Sequence, residues 1–506
     1  MHRTDELYNA YFTDSSGNVV GGCVDYFQPN VWLFNNDTVL NCLFLKSLYD
    51  NLSVPTCTEV PCTKFPLITY SGSTYNIDVC HSKGAIYPYS VTTITKGPVN
   101  VTSTTLYYAV EKTLTLSYGT IAYASGDFVR GNLTLDSTNK TLSLDFFRFL
   151  IADWSTSITA GLGLGSTTDG LGLMSYLQDK GLVLGNGYSV FYAPTTNDTE
   201  GHGLVICGGV DESLYSGDFY VFPRVHHTLP SAQIFPIVVL TLATMLNLET
   251  GDSRIIHSSN CPVVFDSRLH FSYLPTDLIL NLAIQTNAEY NNVHQRWIVL
   301  CVEIWNTNAA ILFDIGPLSI KVPLESMIMK VKNLYYSNGD EACSLEVLPI
   351  SSLGYAAFGV NILSHVYMAV DYINGSVAVA QANTDVIISS GTVIATSHSK
   401  SNNTTFGLIT SGTIPFATTV TLQPDVTFTF FLGNVSLEAN MPARFSGSLF
   451  LSGSLFISDH IQSTSTSTSS RTHMSGALST FRPGSCYVLA GYILLGVIGV
   501  GGFVVL

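Results

Sequence analysis

From about residue 8 to 385, apolar and polar positions alternate in short runs such as LTLSYGTIAYASGDF, GNLTLDSTNKTLSLDFF and HVYMAVDYINGSVAVAQA. A period of two puts one face inward and the other in water, so these runs predict half-buried strands separated by Gly, Asn and Asp turns. Helical periodicity is confined to LMSYLQDKGLV and LPTDLILNLAIQTNA, the second opened by a proline and carrying an aspartate in its first turn. The expected body is therefore all-β, mainly β with short helices. Near residue 386 the pattern changes. Charges nearly vanish, Ser and Thr dominate, and STSTSTSS at 463–470 is of low complexity. Such a segment buries little surface, and 386–474 is expected to be an extended, O-glycosylated stalk.

The tail has a different pattern again. Cys486 to Leu506 is an uncharged apolar run of 21 residues, long enough to span a bilayer core as a helix. Ser475, Gly476 and Ala477 precede it, separated by a spacer of eight residues, Leu478 to Ser485. Small triplet, spacer and apolar run form the signature of GPI attachment, with Ser475 as the attachment residue and 475–506 as the signal. The alternative is a single-pass helix, which normally has basic residues after it. At the other end, MHRTDELYNAYF shows no apolar core of a signal peptide, so a leader is expected upstream of the given chain.

Composition narrows the partners. Charged residues make up 11% of the chain and the net charge is −15, with no basic run, which excludes nucleic acid. Asn-x-Ser/Thr sequons at Asn36, Asn51, Asn100, Asn132, Asn139, Asn197, Asn374, Asn402, Asn403 and Asn434 point to glycosylation in the secretory pathway. Cys42, Cys57, Cys62 and Cys80 cluster, and Cys301 and Cys343 flank a later segment, a layout that suits disulfides rather than a zinc site. Cys23, Cys207 and Cys261 lie in apolar runs and are expected to be buried thiols. His226 and His227 are adjacent and have no ligand spacing around them, so no metal site is expected. Asp211 and Asp218 are expected to serve turns.

Two aspartates, about 240 residues apart, end apolar runs in similar frames: CVD-YFQP-NVWLF at Asp25 and PVVFD-SRLHFSYLP at Asp266. With them come SYGTIAYASGDF with Tyr118, Gly-Leu-Gly-Leu-Gly at 161–165, and GLVICGGVDESLYSGDF at 203–219. In this order the motifs resemble the pepsin-type aspartic endopeptidases, and among them the fungal yapsins, which are often GPI-anchored. The resemblance covers roughly 8–385. It implies a bilobal pepsin-like fold with an N-terminal lobe at 1–222 and a C-terminal lobe at 223–385. It also implies catalytic Asp25 and Asp266, a flap bearing Tyr118, Trp32 and Ser267 in supporting positions, and a Cys301–Cys343 disulfide. A peptide or protein would lie in the interlobe cleft, and no cofactor is needed.

An aspartic dyad works because two carboxylates about 3 Å apart share one proton, one serving as base toward water and the other as acid. In the family a small hydroxyl residue and then a glycine follow each aspartate. Here Tyr26 and Phe27 follow Asp25, and Pro29 removes an N–H from the same loop. Ser267 is kept after Asp266, but Arg268 replaces the glycine, and an Arg aimed at the cleft would favour both carboxylates ionised. Ile121 stands for the second flap glycine and Val360 for a family aspartate. Three readings stay open: a surface member with weakened or lost proteolysis, an active yapsin-like endopeptidase, and a structural or adhesion glycoprotein of the cell wall.

Overall fold

In a computed structural model, the structure describes residues 2–4, 7–14, 19–35, 85–86, 108–118, 122–135, 142–155, 160–166, 171–192, 203–228, 234–291, 294–336, 339–350, 353–386, 393–394, 406–410, 412–421 and 424–429. The cluster of Cys42, Cys57, Cys62 and Cys80 lies outside the described residues. So do the sequons at Asn36, Asn51, Asn100, Asn139, Asn197, Asn402, Asn403 and Asn434, together with Ser475 and the apolar tail. Asn132 and Asn374 are exposed.

The architecture is mostly β. A nine-stranded sheet built from His2–Thr4 through Ala160–Gly163 forms the N-terminal lobe. Its longest partners are Ala122–Leu135 and Leu142–Ser155, paired antiparallel. The C-terminal lobe carries one five-stranded and two four-stranded sheets between Ile237 and Phe358. A seven-stranded sheet joins the two, because Gly187–Tyr192 from the first lobe pairs with Val366–Asp371 from the second. All six residues of each of these strands are buried, as expected of strands covered on both faces. Strands at the periphery alternate instead: Leu318–Pro323 buries Leu318, Ile320 and Val322 and turns Ser319 and Lys321 to solvent.

The two helices expected from periodicity form at Leu173–Asp179 and Thr276–Gln285. The second buries Leu278, Ile279 and Leu282 on one face, and Pro275 precedes its first turn. Among the described residues no helix is long and apolar enough to cross a membrane. Cys301 and Cys343 are disulfide-bonded. Cys23 and Cys207 are buried free thiols, whereas Cys261, the first residue of its strand, is only partly buried. Asp211, at the end of a strand, accepts a hydrogen bond from the Ser213 N–H at 2.9 Å, whereas Asp218 lies not in a turn but at a bulge within Tyr215–Phe222 and accepts one from Tyr220 Oη at 3.1 Å.

The expected stalk departs from its sequence character. Phe406–Leu408 pairs with Gly209–Asp211, and Thr418–Thr419 with Tyr220–Val221. Ile409, Ile414 and Phe428 are buried against the body. The described part of 406–429 is therefore packed structure, because its few apolar side chains fall where strand edges and pockets of the body receive them.

Candidate active site

Each lobe brings its aspartate to the end of a strand by the same device. Val19–Asp25 runs parallel to Ala160–Gly163, with Asp25 opposite Gly163. Cys261–Phe265 runs parallel to Ala357–Phe358, and Asp266 N donates to Phe358 O at 3.0 Å. The glycines explain the motif positions. A Cβ on Gly163 would lie 2.3 Å from Asn30 O and 2.5 Å from Gln28 O. A Cβ on Gly359 would lie 2.3 Å from Phe271 O and 2.7 Å from Leu269 O. These carbonyls belong to the third and fifth residues after each aspartate, so both turns are clamped by a backbone approach that only glycine permits. Trp32 is fully buried, and a Cβ on Gly161 would strike its Nε1 at 2.2 Å.

The donors to the carboxylates follow the same symmetry. Phe27 N donates to Asp25 Oδ1 at 2.9 Å, and Gln28 N donates to the same oxygen at 3.1 Å. Arg268 N donates to Asp266 Oδ1 at 3.0 Å, from the matching position of the second turn. Neither bulky residue therefore costs its turn the N–H that the carboxylate needs. Ser267 Oγ reaches across the molecule and donates to Val24 O at 2.6 Å, tying the second turn to the residue before the first aspartate.

The side chains break the symmetry. Tyr26 turns into the core, where its hydroxyl is hydrogen-bonded to that of Tyr192 and its ring stacks 5.9 Å from Tyr188. Phe27 leaves the turn sideways and packs 5.0 Å from Phe235 and 6.1 Å from Tyr355, both of the C-terminal lobe. The Arg268 guanidinium lies between Asp25 and Trp32: Nη1 is 3.5 Å from Asp25 Oδ2 and Cζ is 5.6 Å from the indole ring. The contact with Asp25 is an ion pair without hydrogen-bond geometry. Tyr355 Oη donates to Asp266 Oδ2 at 3.3 Å.

Burial dominates the titration of both acids. It raises the Asp25 carboxyl, against the lowering pull of Arg268 and of the Gln28 and Phe27 N–H groups. It pushes Asp266 up to about 7; the Arg268 N–H lowers it and the charge of Asp25 raises it further. Arg268 lowers both carboxyls, the direction expected of a cation beside them. The guanidinium does face the dyad, but desolvation outweighs one positive charge at 3.5 Å, and at acid pH a proton stays in the site.

Of Tyr118, the residue expected in a flap, the backbone alone is described: it ends Tyr108–Tyr118 and pairs with Ala122 of the next strand. Val360 is fully buried at the start of a short helix, where its N–H donates to Leu269 O at 2.7 Å. Tyr355 and Phe235 escaped the sequence reading. They belong to no motif, and they reach the site through packing between segments distant in the chain. His226 and His227 form a two-residue strand, with His227 edge-on to Phe235 at 5.1 Å.

Two β lobes joined by a common sheet, each closing on a buried aspartate, define the pepsin-like class of fold. Residues 79–382 match the family model of the eukaryotic aspartyl protease, and the chain belongs to that family. Asp266 falls within the matched residues, and Asp25 precedes them. The chain is 26% identical to aspartic proteinase MKC7 of Saccharomyces cerevisiae, over 57% of this chain and 50% of that protein. It is equally identical to yapsin-7 of the same organism, over 57% of this chain and 53% of that one. Secreted aspartic protease 9 of Candida albicans is 25% identical over 49% of this chain and 46% of its own length. The chain thus spans about half the length of the curated relatives it matches. The crystal structure of aspartic proteinase from Irpex lacteus superposes with a TM-score of 0.50 at 16% identity, covering 76% of this chain and 96% of that chain, which establishes the fold.

Proposed function

We propose that this chain is a secretory, cell-surface member of the pepsin-like family whose interlobe cleft binds extended peptides and whose peptide-bond hydrolysis is strongly reduced. The observation that carries the reading is Arg268, whose guanidinium stands 3.5 Å from Asp25 Oδ2 in a position where the family has glycine. A dyad needs both carboxylates turned to one water and one shared proton. Here one oxygen of Asp25 faces a cation instead, and Phe27 extends from the turn into the cluster of the opposite lobe. Asp25 and Asp266 keep the positions of the paired acids, and Tyr118 that of the flap.

The test is incubation of the full chain with a mixed peptide library between pH 3 and 6, with products read by mass spectrometry. Cleavage no greater than that of Asp266→Asn is expected. Turnover that Asp25→Asn or Asp266→Asn abolishes would overturn the proposal. Replacing both intruders, Phe27→Gly with Arg268→Gly, is expected to raise turnover at pH 4 by about 100-fold, the scale of positioned acid–base catalysis. Two observations favour the second reading, an active endopeptidase: Ser267 still bridges to Val24 O, and burial raises the Asp266 carboxyl to about 7. The same assay separates the two.

The Cys301–Cys343 disulfide supports an oxidising, secretory compartment. Anchoring through Ser475 rests on the sequence pattern of 475–506. Release of the chain from cell membranes by a phosphatidylinositol-specific phospholipase is the expected result, and retention in the membrane fraction would favour the single-pass helix.

A further inference from the structure

Beside the aspartates lies a small buried apolar cluster, separate from the main core. Phe27, Phe235, Val264, Tyr355 and Ala357 are buried in it, and these residues come from both lobes. Two of them touch the dyad directly: Phe27 through its N–H to Asp25, and Tyr355 through its hydroxyl to Asp266. The cluster is completed by Phe428, from the segment after the lobes, which is 1% exposed and packs 5.8 Å from the Tyr355 ring.

The segment carrying Phe428 has the form of a bound peptide. From Pro424 to Thr429, burial alternates strictly: Pro424, Val426 and Phe428 turn inward, while Asp425, Thr427 and Thr429 face solvent. Thr427–Phe428 adds as a short parallel strand to His226–His227, and Thr228 N donates to Phe428 O at 3.1 Å. Main-chain pairing along an edge, with alternate side chains in pockets, is how proteins take up extended peptides. The residues just before are held independently, since Ile409 and Ile414 are buried in a separate cluster and Val420 N donates to Val221 O at 2.8 Å. Residues 424–429 are thus a short arm on a firm base, held by one strand pairing of two residues and by the side chains of Val426 and Phe428.

We propose that the pocket formed by Phe27, Phe235, Val264 and Tyr355 receives one aromatic residue of an extended peptide, and that Phe428 of this same chain occupies it in cis. The proposal rests on the reading of the cleft as a peptide-binding site. A peptide in trans would carry an aromatic residue flanked by small polar ones, as the arm does, and would have to displace it. Occupancy in cis lowers apparent affinity in proportion to the fraction of molecules whose pocket is open.

The probe is a fluorescent peptide of residues 424–429, Pro-Asp-Val-Thr-Phe-Thr, titrated into the full chain and followed by anisotropy. Phe428→Ala empties the pocket and is expected to tighten binding of the peptide by about tenfold or more, corresponding to a pocket closed in about nine molecules of ten. Thr228→Pro removes the N–H that holds the arm while leaving every pocket residue in place. It is expected to tighten binding several-fold, about threefold to tenfold, and it keeps the test decisive if Phe428→Ala does not fold. The same peptide with its Phe replaced by Ala should not bind either variant. Wild-type binding as tight as that of both variants would overturn occupancy in cis while leaving the peptide-binding reading intact. Folded variants that bind no peptide would overturn both.

Discussion

The two aspartate turns start from one plan and end as different structures. Both are clamped by a glycine whose missing Cβ admits two carbonyls, and both supply an N–H from the second residue after the acid. The first turn then sends its side chains into apolar surroundings, Tyr26 toward Tyr192 and Phe27 toward Phe235. The second keeps its hydroxyl bridge through Ser267 and places a charge, Arg268, against the first acid. The backbone of each aspartate turn thus survives large substitutions because its donors are main-chain groups, whereas the surroundings of each carboxylate depend on the side chains.

If the first turn contributes by packing, Phe27→Ala should show the largest loss, about 3–5 kcal/mol for a buried Phe truncated within an interlobe cluster, and the loss should be the same at pH 4 and pH 7. Chemical denaturation at both pH values checks it, and a pH-dependent loss would break the assignment. The second turn should behave in the opposite way. Asp266 titrates at about 7 in the folded protein against 3.8 for the free group. The folded state therefore binds the proton more tightly. The resulting stability is fully present below about pH 4 and is lost as pH rises through 7, amounting to roughly 4 kcal/mol. Melting temperature should fall over that interval in the wild type, and the fall should shrink in Asp266→Asn. Arg268→Ala should steepen it, because the cation that offsets buried negative charge is removed, with little effect at pH 4.

Much of this was legible in the chain. The frames around Asp25 and Asp266, the Gly161–Gly165 run and the two helices are local patterns; the helices form, and the glycine run lies beside the Asp25 turn. The direction of Tyr26 and Phe27 was not legible, since a turn sequence does not state which distant surface will accept a ring. The net effect at the carboxyls was not legible for a related reason: the charge of Arg268 is visible in sequence, but the burial that outweighs it is not. The segment 406–429 was hidden by composition, being rich in Ser and Thr. Its one signal was the alternation in VTFT, with Val426 and Phe428 inward and Thr427 and Thr429 outward, a strand period too short to stand out.

The smallest effects test whether the two turns remain coupled at all. Ser267→Ala removes a buried hydroxyl-to-carbonyl hydrogen bond across the lobes and should cost about 1–2 kcal/mol. Tyr26→Phe keeps the ring and its stacking on Tyr188 while removing the bond to Tyr192, and about 0.5–1 kcal/mol is expected. In an intact dyad the two hydroxyls would belong to one interlocked pair, so their losses would be strongly non-additive. Here they bond to unrelated partners, and the double variant should equal the sum of the singles to within about 0.5 kcal/mol. A larger coupling energy in denaturant titrations would mean that the first turn still feels the lock it has lost, and the contrast between the turns would have to be redrawn around Asp25 itself.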